Sequence, residues 1–76
     1  MNRILAVKSK PNSGNFSATL RAYRENLGFT QRHVAEKLGI SRSTYTYYEQ
    51  GKVEPSLQNL VKLARLFKVT VDDLLR

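Results

Sequence analysis

Only two residues, Gly39-Ile40, lie between Leu38, where one apolar-periodic segment ends, and Ser41, a residue suited to open the next helix. So short a connection, with a glycine able to adopt the left-handed backbone that closes a helix, fixes the angle between the helices it joins. The rest of the chain has to pack around that corner. Upstream, Thr30 reads as an N-cap, Gln31–Leu38 as a helix with Val34, Ala35 and Leu38 on its apolar stripe, and Gly39 as its stop. Ala35 is small enough for a neighbouring helix axis to approach closely, and Ile40 would plug the corner beneath the turn. Downstream, Ser41 caps Arg42–Gln50 and Gly51 ends it. On this second helix Thr44, Tyr45 and Tyr48 share one side, whereas Arg42, Ser43, Thr46 and Tyr47 share the other, because positions three or four apart face the same way. One side suits a core; the other is rich in hydrogen-bonding groups.

Further helices flank the corner. Phe16, Leu20, Tyr23 and Leu27 recur at helical spacing until Gly28 interrupts them, which predicts a first helix. Beyond Gly51-Lys52-Val53-Glu54-Pro55, a loop whose proline biases Glu54 away from helix, Ser56 caps a fourth helix with Leu57, Leu60, Leu63, Ala64 and Phe67 as its expected core stripe. Val69 leads to Thr70-Val71-Asp72-Asp73, a cap followed by acidic residues that suit a helix dipole and open a brief fifth helix. No internal repeat and no convincing strand-length alternation accompany these signals, so the expected fold is all-α, a compact five-helix bundle over residues 16–76. Residues 1–15 hold Ile4-Leu5-Ala6-Val7 and then a run of breakers and polar residues, and read as a flexible basic arm. That arm could track phosphates or enter a minor groove, could be an untethered terminus, or could form a strand at residues 3–7 that pairs with another copy.

A chain of 76 residues has room for one small domain, and without cysteine it has neither a disulfide framework nor a thiolate metal site to supplement its core. Thirteen Lys and Arg against six Asp and Glu leave a formal charge of +7, which attracts polyanions: nucleic acid first, with an anionic membrane surface or an acidic protein as alternatives. Ile4-Leu5-Ala6-Val7 is too short for a signal-peptide core, and no stretch approaches the roughly 20 apolar residues that span a bilayer. The expectation is a soluble, cytoplasmic protein with no membrane partner. Enzymatic chemistry has little support. His33 is the single histidine and has no partner spaced for zinc or for acid–base work, there is no glycine-rich phosphate loop, and Asp72-Asp73 is accounted for by a helix start. No catalytic residue, metal, cofactor or small-molecule ligand is therefore expected, and His33 is expected at the solvated surface.

Four segments, residues 30–41, Tyr48-Glu49-Gln50-Gly51-Lys52, Pro55-Ser56-Leu57 and Leu60-Val61-Lys62-Leu63-Ala64, resemble the Xre-type, lambda-repressor-like (Cro/C1-type) helix-turn-helix family of phage and bacterial regulators, with similarity over residues 17–75. The resemblance implies a bundle whose Arg42–Gln50 helix lies in the DNA major groove. An α-helix fits that groove, and side chains near its N-terminal end reach base edges. Arg42 would pair with guanine O6 and N7, a contact worth about 1–3 kcal/mol of discrimination. Ser43 and Thr46 can donate or accept. Tyr47 stands where relatives carry a polar or basic side chain, and could read a base, touch a thymine methyl or hold a phosphate. Gln31, at a helix start that already favours an anion, matches a glutamine the family uses on phosphate; Lys52 and Arg32 are further phosphate candidates, with Arg21 a weaker one. The resemblance also implies a structural ion pair between Arg24 and Glu49, and places Tyr45 and Tyr48 in the core rather than on a stacking platform for single strands.

The resulting expectation is sequence-specific binding of double-stranded DNA by a small prokaryotic or phage-type transcriptional regulator, a repressor, on near-palindromic operators with half-sites ~34 Å apart. The alternative is an antitoxin-like protein-interaction module with DNA binding secondary. A homodimer face, if present, is expected among the C-terminal helices at Val61, Leu66, Val71 and Leu75.

Overall fold

The computed structural model describes residues 14–76, so the expectations for the basic arm and its strand fall almost wholly outside the described residues. Five helices follow in order: α1 Gly14–Asn26, α2 Gln31–Leu38, α3 Arg42–Gln50, α4 Leu57–Phe67 and α5 Val71–Leu75, with no strand among the described residues. The all-α bundle is as the sequence predicts, except that α1 starts at Gly14, two residues ahead of Phe16.

Four caps set the helix starts. The hydroxyls of Thr30, Ser41, Ser56 and Thr70 accept from the backbone N–H groups of His33, Thr44, Asn59 and Asp73 at 3.0–3.1 Å. Each satisfies a donor that the helix itself cannot, worth about 1 kcal/mol. At Thr70 the bond is reciprocated, since the Asp73 carboxylate accepts from the Thr70 N–H at 3.1 Å, which holds that carboxyl below its ordinary range. At the tight corner Gly39 takes φ 76°, and its N–H turns back onto the α2 carbonyls.

The stop after α4 lacks a glycine. Lys68 occupies the left-handed region there at φ 60°, where a side chain crowds its own carbonyl. The Lys68→Gly variant should gain about 0.5–1 kcal/mol, because the relieved strain exceeds the added entropy of the unfolded chain. An upward shift of the melting midpoint checks this; a fall would show that the lysine side chain supplies more than it costs.

α3 packs against both α1 and α2, α1 also meets α5, and α4 lies against α2 and α5. At the centre are Leu20, Val34, Leu38, Tyr45, Leu63, Phe67 and Leu74, with Ala35, Tyr48 and Ala64 buried among them. Three expectations need correction. Leu27 is 46% exposed, because α1 ends at Asn26 and the turn through Gly28 carries the next residue away from the stripe. Leu57 is 75% exposed: as the first residue of α4 it has no preceding turn to bring it over the core. His33 is half-buried rather than solvated, its ring 4.7 Å from that of Phe29.

Candidate nucleic-acid interface

Helix α3 is anchored from behind by a polar cluster. Its rear face buries Tyr45, Tyr48 and Glu49, and a carboxylate placed so deep needs donors. Arg24 on α1 supplies two, Nε to Oε2 at 2.5 Å and Nη2 to Oε1 at 3.1 Å, and spends Nη1 on the Phe29 carbonyl at 2.9 Å. The Tyr45 hydroxyl donates to Oε2 at 2.5 Å, one helical turn back, and Gln31 Nε2 on α2 donates to Oε1 at 3.0 Å. Arg21 Nε lies 3.9 Å from the same oxygen. The Glu49 side chain is 1% exposed and that of Arg24 12%. Burial alone would raise the Glu49 carboxyl, but the hydrogen bonds from Arg24, Tyr45 and Gln31, with the Arg24 charge, outweigh it and hold the carboxyl below its ordinary range. The same contact with Glu49 raises the Arg24 guanidinium, against its own desolvation. Burial, and then the bond to Glu49, push the Tyr45 phenol well up, so it stays a donor. The cluster thus ties three helices at one carboxylate.

The tyrosines of this face are packing residues. Tyr45 and Tyr48 meet edge to face at 6.1 Å, and the Tyr48 hydroxyl accepts from Asn59 Nδ2 at 3.1 Å, so neither ring offers a surface to a base.

The front of α3 is polar and open. Arg42, Ser43, Tyr47 and Gln50 are exposed and Thr46 is half-buried; with Lys52 they line a concavity of about 420 Å³. The Lys52 ammonium sits 5.6 Å from the Tyr47 ring centre, a cation–π contact that aligns loop and helix on this face. A neighbouring concavity of about 450 Å³ is lined by Arg24, Thr30, Gln31, Arg32 and Arg42, so the start of α2 and the start of α3 open onto adjoining surface. All four base-reading candidates and all three phosphate candidates therefore fall on connected ground. Gln50, absent from the candidates that the sequence offers, joins them here, and its spacing from Thr46 and Tyr47 is the signal that places it on their face.

Gln31 is more committed than the sequence suggests. Its Nε2 serves Glu49, and its Oε1 accepts from the Thr46 hydroxyl at 2.9 Å. An amide nitrogen carries two hydrogens, so one donor is left over for an anion. The exposed cations Arg32, Arg42 and Lys52 add positive charge to the same face, while no helix among the described residues is long and apolar enough to cross a membrane.

Comparisons with known proteins fit this geometry. A family model described as helix-turn-helix matches residues 20–74. An uncharacterized HTH-type transcriptional regulator of Archaeoglobus fulgidus is 40% identical over 55 residues, covering 72% of this chain and 79% of the relative. The chain spans just over half the length of two Bacillus subtilis regulators that are 39% and 41% identical to it. Among solved structures, the restriction-modification controller protein C.AhdI from Aeromonas hydrophila superposes with a TM-score of 0.76 at 31% identity, over 82% of this chain and 94% of that one. SinR, a master regulator for biofilm formation solved in complex with DNA, gives a TM-score of 0.74 at 29% identity, over 80% of this chain and 98% of that one.

Proposed function

This chain belongs to the helix-turn-helix family of transcriptional regulators, and from that premise we propose that it binds a specific double-stranded DNA operator with α3 in the major groove and represses transcription by occupying it. The observation that carries this reading is the division of α3. A buried cluster fixes the helix from behind, while the open face presents Arg42, Ser43, Thr46 and Tyr47 to base edges. Phosphates on either side are met by the start of α2, at Gln31 and Arg32, and by Lys52.

A cytoplasmic regulator of this kind would bind as two copies on a near-palindromic site, half-sites one helical turn or ~34 Å apart. The surface available for that pairing lies by α5, where Leu75 is 59% exposed and Val61, Leu66 and Val71 are only partly covered.

Selection of bound duplexes from a random pool tests the proposal. The parent chain should enrich a defined sequence, and Arg42→Ala should lose discrimination at one guanine by about 1–3 kcal/mol while other positions keep theirs. A pool that remains unenriched would overturn sequence-specific binding.

A further inference from the structure

The buried cluster behind α3 determines which way one of the reading side chains can hydrogen-bond. An ionised carboxylate accepts and cannot donate, and Glu49, paired with Arg24, is such a group. The amide of Gln31 must therefore turn its nitrogen toward Glu49, where Nε2 stands 3.0 Å from Oε1. Its oxygen then faces the other way, 2.9 Å from Thr46 Oγ1. An amide oxygen has no proton to give, so the single hydroxyl proton of Thr46 goes to Gln31. Only the lone pairs of Oγ1 remain for the concavity that Thr46 lines with Arg42, Ser43 and Tyr47.

We propose that Thr46 reads its base pair as an acceptor only, selecting the exocyclic amine of adenine or cytosine and excluding contact with guanine O6 or N7 or with thymine O4. In the major groove those two amines are the donors, and the other edge atoms able to bond are acceptors. The inference rests on the reading that α3 lies in the major groove. It makes Gln31 a positioning residue for Thr46 in addition to its place beside a phosphate. Ser43, exposed on the first turn of α3, has no such constraint and its hydroxyl rotates to suit either kind of partner.

The test begins with duplex selection on the parent chain and on Thr46→Val, which keeps the shape and removes the hydroxyl. The variant should lose preference at one base pair by about 3- to 10-fold, the value of one hydrogen bond. At that pair, an adenine or cytosine analogue lacking the exocyclic amine should weaken binding of the parent by the same factor and leave Thr46→Val unaffected. A 7-deazapurine at the same pair should cost neither protein anything. The inference is overturned if Thr46→Val changes no position, if amine removal weakens both proteins equally, or if the 7-deaza base is the one that matters. Should Thr46→Val fail to fold, removing the amine from each enriched adenine and cytosine in turn on the parent chain decides the matter. An amine apart from the pair read by Arg42 that stays sensitive in Ser43→Ala and in Tyr47→Phe supports the assignment, and none overturns it. A parent pool without enrichment would instead sink the DNA-reading function itself, so the two failures are distinct.

Discussion

Glu49→Ala should lower the stability of the fold by about 3–5 kcal/mol, a large share of the 5–15 kcal/mol that holds a domain together. The effect comes less from the lost pair than from what is left behind. Arg24, 12% exposed in the parent, would keep only the exposed Glu25 carboxylate, 3.7 Å from Nη2, as a counter-charge, and the Tyr45 hydroxyl and Gln31 Nε2 would lose their acceptor. Glu49→Gln should also destabilise strongly, because one amide oxygen replaces two carboxylate oxygens that together accept from four donor atoms. Acid should act in the same direction. The folded carboxyl is held below its ordinary value of 4.5, so its contribution is complete above that value and is lost as pH falls through the lower, folded one. Thermal melts of the parent between neutral and acid pH should therefore show a midpoint that drops below about pH 4.5, with a flatter dependence in Glu49→Ala. An unchanged midpoint in Glu49→Ala at neutral pH would refute the anchoring role.

Two leucines on one helix should differ widely in what they are worth. Leu63→Ala should cost about 2–5 kcal/mol, since Leu63 is 0% exposed among the buried residues of the core and leaves a cavity when truncated. Leu57→Ala, six positions earlier and 75% exposed, should stay within about ±0.5 kcal/mol. Urea unfolding of both variants checks the contrast. Comparable losses would mean that Leu57 is covered in solution, and would place a partner surface at the start of α4.

Those leucines also show how far the sequence could be followed. The four hydroxyl caps and the glycine stops at Gly28, Gly39 and Gly51 are local signals, each decided by one residue's side chain or backbone, and they make seven helix ends legible. Stripe membership at helix ends is not local. Leu27 and Leu57 have the right spacing, but whether a terminal residue faces the core depends on where the chain turns, and both lie where a helix has ended or just begun. The left-handed Lys68 carries no compositional sign at all. Leu74, 0% exposed, has no signal in the sequence either, because a helix of five residues is too short to display a period. At the candidate interface, the reading face followed from spacing, whereas the Arg24–Glu49 pair spans 25 positions and came only through family resemblance. The bond from Thr46 to Gln31 was hidden for a further reason. It depends on the orientation of an amide on α2 that Glu49, three residues beyond Thr46 on α3, determines.

The separation of α3 into a rear face of Tyr45, Tyr48 and Glu49 and a front face of Arg42, Ser43, Tyr47 and Gln50 has a bearing on how such a protein changes over generations. The front four are exposed, so mutations there meet little selection from folding and can drift toward a new operator while the bundle stays intact. Thr46 is the exception. It is half-buried and its hydroxyl is already bonded to Gln31, and through Gln31 to Glu49, so lineages that diverge freely at the exposed four should exchange this position less often.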